Sequence, residues 1–174
     1  MIIFVYERLG FFMNNMSDKN DFPSLDNVIS NIRSARYAQA LQAEKLNSIS
    51  NYIYQAIIFQ EMIPALADLF EDIAIDEMRH YKILGVIIKK LGANPTIRAR
   101  VQNNAIDYDF NSMTQANDTA RKVIENNIKD KEKAAMEYHK LSESTDDPAV
   151  SEIYRRISEE EAQHARLLKQ ILYS

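Results

Sequence analysis

Cysteine is absent from this chain, which excludes disulfides, thiolate-bound zinc and iron–sulfur or rubredoxin-type centres, and fits a reducing, cytoplasmic setting. Any metal it holds must be bound by carboxylates and imidazoles. Glycine and proline are scarce, at three and four residues, whereas Glu, Lys, Ala, Leu and Ile are frequent, so long helices are favoured over turn-rich β structure. The expected class is all-α. A basic stripe is also missing: the net charge is −4 with acids and bases interleaved, which offers nothing to a nucleic-acid backbone. No apolar run is long enough to span a bilayer. The opening MIIFVYERLGFF is broken by Glu7 and Arg8, is too short to cross a membrane, and lacks the basic leading region and cleavage site of a signal peptide. Residues 1–23 are therefore expected to form an extension that packs on the domain, lies weakly at an interface, or precedes a start at Met13 or Met16.

What is present is enough for one domain over residues 24–174, since 46% apolar residues supply a core without extra staples. A first helix is expected over 24–60, opened by SLDN and followed by Pro64. The second, over 65–91, is closed by Gly92 and then Pro95. Residues 92–113 are rich in Asn and lack a sustained helical period, so they read as a long connection carrying the chain from one end of a bundle to the other. A third helix is expected over 114–143. DDPAV supplies an Asp cap and a first-turn proline for a fourth, ending at Leu172.

The second and fourth helices each carry Glu-x-x-His: Glu77 with His80, and Glu161 with His164. At about 100° per residue, Leu66, Phe70, Ile73, His80, Leu84, Ile88 and Leu91 lie within roughly 60° of Glu77. Val150, Tyr154, Ile157, His164, Ala165, Leu168 and Leu172 gather in the same way around Glu161. Both acid–imidazole pairs thus point into a core, where a carboxylate needs a cationic partner or a metal.

The two halves repeat. AEKLNSISNYIYQ leading to IDEMRH parallels KEKAAMEYHKLSE leading to EEEAQH. On that repeat, Glu44 and Glu132 are the single carboxylates of the odd helices. Together with the two Glu-x-x-His units they match the arrangement by which bundle proteins hold two iron or manganese ions. The expected ligands are Glu44, Glu77, His80, Glu132, Glu161 and His164, whose carboxylate charge two divalent cations would balance; oxygen and imidazole donors suit Fe, or alternatively Mn. Glu44 shares its face with Ser48, Asn51 and Gln55, which a solvated stripe would also do. Glu125 and His139 each fall seven residues, about two turns, from Glu132 on the same face, as groups at the edge of the core. Tyr81 and Tyr154 are accessory candidates, able to hydrogen-bond a ligand or donate an electron, with core packing as their other role. The seven Met form no soft-metal cluster.

The segments AEKLNSISNYIYQ, AIDEMRHYKILGVIIKKLGANP, KEKAAMEYHKLSESTDDPAV and ISEEEAQHARLLKQIL resemble the ferritin-like superfamily, and within it stand-alone rubrerythrin-type and manganese-catalase-like domains. The resemblance spans about residues 30–172. It implies a four-helix bundle with one long crossover between helices 2 and 3. It also implies two metals bridged by the four Glu and held by the two His, and redox chemistry with hydrogen peroxide or dioxygen. Without rubredoxin cysteines, electrons for a peroxidase must come from a separate donor; a catalase-like site would need none. An iron-storing ferroxidase and a non-enzymatic, metal-stabilised bundle remain open on this reading. A homo-oligomer, with a dimer favoured, is the expected assembly.

Overall fold

The computed structural model describes residues 22–96, 99–101, 104–106 and 118–173. The expected extension before residue 22, part of the connection and the first residues of the third expected helix lie outside them. Among the described residues there are four long helices: α1 (Ile32–Phe59), α2 (Pro64–Lys90), α3 (Ala120–Ser144) and α4 (Pro148–Leu172). Helix α1 packs along α2 and α3 along α4, making two helical hairpins whose inner faces meet.

Three of the helices begin where a side chain takes up free amides, and α2 begins at a proline. Asn31 Oδ1 accepts from Arg33 N and Ser34 N, both at 3.1 Å, so α1 starts eight residues after the expected Ser24. The reason lies at the far end of α2: Asn31 N and Ser30 Oγ both donate to the carbonyl of Leu91, holding residues 30–31 extended. Leu25, a few residues earlier, is buried. Thr119 caps α3 and Asp147 caps α4. Pro64 opens α2 at the first helical position, as the sequence suggested. Within the connection, β1 (Ala99–Val101) and β2 (Asn104–Ile106) pair antiparallel, with Arg100 opposite Ala105. This small hairpin was not anticipated, because strands three residues long carry too little alternation to stand out.

The interior has three layers along the bundle axis. At one end Tyr52, Phe59, Leu66, Phe70, Ile73, Ile124 and Leu168 form an apolar cluster. At the other, Ala38, Leu84, Ile88, Tyr138, Ile153, Tyr154 and Ile157 form a second. Between them lies a layer of buried charge. A reciprocal amide pair, Gln55 with Asn127, ties α1 to α3 on the Phe70 side of it.

Candidate functional site

Glu77 and His80 enter the middle layer from α2, and Glu161 and His164 enter it from α4. All four are essentially inaccessible, at 0–1% exposure. The helical phase read from the sequence is therefore the phase that folds, and Glu77, His80 and Glu161 bring ligand-type atoms within 4.8 Å of one another. They form a candidate metal cluster.

The cations that meet the two carboxylates are lysines. Lys45 of α1 and Lys131 of α3 are 4% and 3% exposed. Lys45 Nζ lies 2.9 Å from Glu77 Oε2 and also bonds Glu161 Oε1. Lys131 Nζ lies 2.8 Å from Glu161 Oε2 and also bonds Glu77 Oε1. Each ammonium thus bridges both carboxylates, and each carboxylate oxygen faces one ammonium. Lys45 further sits over the Tyr138 ring at 5.0 Å, and Lys131 over the Tyr52 ring at 4.9 Å. The arrangement has an approximate twofold: Lys45 and Tyr52 on α1 answer Lys131 and Tyr138 on α3.

Electrostatics at the centre favour the charged forms of Glu161 and Lys45. Burial opposes the Glu161 carboxylate, yet Lys131 and Lys45 hold it well below the usual carboxylate range. Burial likewise opposes the Lys45 ammonium, and Glu161 and Glu77 outweigh it and raise it well above the ordinary lysine value. Burial first, then the neighbouring carboxylates, push Tyr52 and Tyr138 upward, so both phenols stay neutral.

A second ring of acids holds the imidazoles by their outer nitrogens. His80 Nε2 lies 2.6 Å from Glu160 Oε2, and His164 Nε2 lies 2.9 Å from Asp76 Oδ2. Arg79 spans Asp76 and Glu160. The two histidines are nevertheless unlike. Burial lowers His80, but Glu160 and Glu161 prevail and raise it; burial prevails at His164 and lowers it. Lys45, Lys131 and Arg79 stand against Asp76, Glu77, Glu160 and Glu161, and a proton on His80 would make the layer four against four.

Two of the six expected ligands are not brought to this centre. Glu44 is exposed on α1. Glu132 is 46% exposed and pairs at 2.5 Å with Lys169 on the outside of α4. Each is one residue, hence about 100°, off the inward line. Met136, one turn on from Glu132, is likewise turned outward at 59% exposure. Glu125 pairs with Arg121 and His139 with Glu143 on the surface. Tyr154 is buried against Tyr138, with ring centroids 6.0 Å apart. Tyr81 is half-buried, and its carbonyl accepts from Gln42.

The residues that sequence reasoning missed are the lysines, and a signal for them existed. Ala38, Lys45, Tyr52 and Phe59 recur every seven residues, as do Ile124, Lys131 and Tyr138. A seven-residue step returns to the same helix face, so a Lys-x6-Tyr unit lies on the buried line of both odd helices. The repeat had been aligned on Glu44 and Glu132; the folded chain superposes Lys45 on Lys131, two residues out of that register.

Geometry decides how well a two-metal centre fits. In its favour, His80 Nδ1 and His164 Nδ1 have no hydrogen-bond partner among the described residues. They face Glu161 at 3.5 and 4.0 Å while carboxylates hold their outer nitrogens, the posture of metal-ligating imidazoles. Against it, the inner carboxylates number two instead of four, and two ammonium groups occupy the space between them. Like charges cannot share that space, so the residues present do not fit a carboxylate-bridged pair of metals.

Comparisons with known proteins agree on the fold. The structure is similar to a bacterioferritin of Desulfovibrio desulfuricans, described as having a diiron site in different catalytic states, with a TM-score of 0.60 and 23% identity. The match covers 80% of this chain and 82% of that one. Among curated proteins none matches. The rubrerythrin family model matches residues 38–172, which takes in most of α1, all of α2, α3 and α4 and the whole charged layer, and the chain belongs to the rubrerythrin family.

Proposed function

We propose that this ferritin-like bundle is a non-enzymatic, structural member of its family, whose interior cations are its own lysines. The observation that carries this reading is the double bridge of Lys45 and Lys131 across Glu77 and Glu161. A divalent ion entering the centre would have to displace two paired ammonium groups and leave them buried without partners, which is strongly unfavourable. On this reading the inner carboxylates need no metal, because the two ammonium groups already meet them.

Metal analysis of the purified protein after incubation with Fe(II) or Mn(II) and desalting tests this. The expected content is far below one ion per chain, with no spectral change on adding one equivalent of hydrogen peroxide. A chelator should leave the melting temperature unchanged, because nothing that binds the native state is being removed. Two tightly held ions per chain would overturn the proposal.

The second reading is the di-metal oxidoreductase of the family resemblance. It would use Fe or Mn with peroxide or dioxygen as oxidant, in a homo-oligomer served by a separate electron donor. What favours it is the inward posture of His80 and His164. Peroxide consumption or repeated Fe(II) oxidation by the metal-loaded protein would select it, and accumulation of many irons per chain in soluble form would point to storage.

A further inference from the structure

We infer that Lys45 and Lys131 are the specificity-determining residues of the buried layer: they replace two metal cations one for one, and exchanging both for glutamate converts the layer into a two-cation site. The inference rests on the structural reading above, and adds that the remainder of the site is intact.

Three features support it. First, each lysine enters from an odd helix at the level of the two Glu-x-x-His units and touches both inner carboxylates, so a carboxylate at position 45 or 131 would face the same pair. Second, the size is right. A glutamate side chain ends one bond short of where lysine places its nitrogen, and a metal–oxygen bond of about 2 Å spans the remainder. Third, the imidazoles are already oriented. Glu160 and Asp76 hold the outer nitrogens of His80 and His164, leaving both Nδ1 atoms turned inward. Such orientation is the part of a metal site that single substitutions seldom create. The exchange changes the inner layer by four units of charge, which two divalent cations restore.

The test is metal stoichiometry and melting temperature of the Lys45→Glu, Lys131→Glu variant, incubated with Mn(II) or Co(II) and desalted, beside the unaltered protein. The variant should retain about two ions per chain and melt at a higher temperature with metal than with chelator. Bound Co(II) should show the visible bands of nitrogen and oxygen ligation. Because four unpaired carboxylates could prevent folding without metal, the single variants Lys45→Glu and Lys131→Glu, each retaining one lysine, are measured in parallel. Each should hold about one ion per chain. Folded variants, single or double, that retain no more metal than the unaltered protein would overturn the inference. Failure of the double variant to fold with metal as well as without it, together with metal-free single variants, would do the same. If the unaltered protein itself retains two ions, the structural reading fails instead, whatever the variants do.

Discussion

Lysine is rarely buried because its ammonium is strongly hydrated and its stem is flexible; here two such groups are held at 3–4% exposure by opposite charges and aromatic faces. Removing one should be costly out of proportion to the net contribution of the pair, because it leaves a carboxylate buried with half its compensation. Lys131→Met, close in volume, is expected to destabilise the fold by about 3–5 kcal/mol, read from the urea midpoint. Adding Glu161→Gln should recover part of that loss, because the double variant no longer carries the uncompensated charge. An unchanged midpoint in the single variant would show that the layer contributes no net stability. At this scale the even helices were fully legible in the sequence and the odd ones were not. Glu77, His80, Glu161 and His164 lie among apolar neighbours that settle their phase. Glu44 and Glu132 sit beside lysines on helices of mixed polarity, and a search confined to acids passes over a basic residue on the buried line.

Among the elements, the end of α2 shows how local chemistry sets a boundary. Ala93 N donates to Ile88 O and Gly92 N to Lys89 O, and Gly92 has φ of +92°, the glycine-closed helix end that the Gly-x-x-Pro spacing suggested. A Cβ at Gly92 would also meet Ser30 Oγ at 2.5 Å. Gly92→Ala should therefore cost about 1–2 kcal/mol, measured by thermal unfolding. In a Ser30→Ala background only the steric part should be recovered, and full recovery would show that the backbone conformation is not strained. Helix starts were less legible than helix ends. SLDN and DDPAV look alike as caps, but of the two only Asp147 caps a helix; the chain turns after Ser24, and residues 30–31 are held extended by bonds to Leu91, a residue distant in sequence. A contact of that range leaves no local mark.

For the molecule as a whole, the charged layer fixes how stability depends on pH. Glu161 is depressed in the folded state, so its contribution is complete above the unfolded value near 4.5 and is lost as pH falls below it. Lys45 is raised, so its contribution is complete below 10.5 and is lost as pH rises beyond it. Near 6.5 the imidazoles act in opposite senses: the raised His80 weakens the fold as pH climbs, and the lowered His164 weakens it as pH drops. The expected profile is a maximum near pH 6.5, falling gently on either side as the two imidazoles change charge and more steeply below about 4.5 and above about 10.5, measured by melting temperature in buffers of constant ionic strength. Stability that rises as pH moves away from 6.5 in either direction would contradict these shifts. No helix among the described residues is long and apolar enough to cross a membrane.

The crossed bridging also bears on how the halves of the chain find each other. Each carboxylate receives one ammonium from its own hairpin and one from the opposite hairpin: Glu77 from Lys45 and Lys131, Glu161 from Lys131 and Lys45. Apolar faces alone tolerate sliding, since one leucine can replace another along a groove. A slip of one helical turn, about 5.4 Å, would instead break both crossed bridges at once and strand charge between the two apolar clusters. The ionic layer thus works as a key between the hairpins, admitting one alignment and penalising its neighbours, a task that a metal-binding centre would leave undone until its ions arrived.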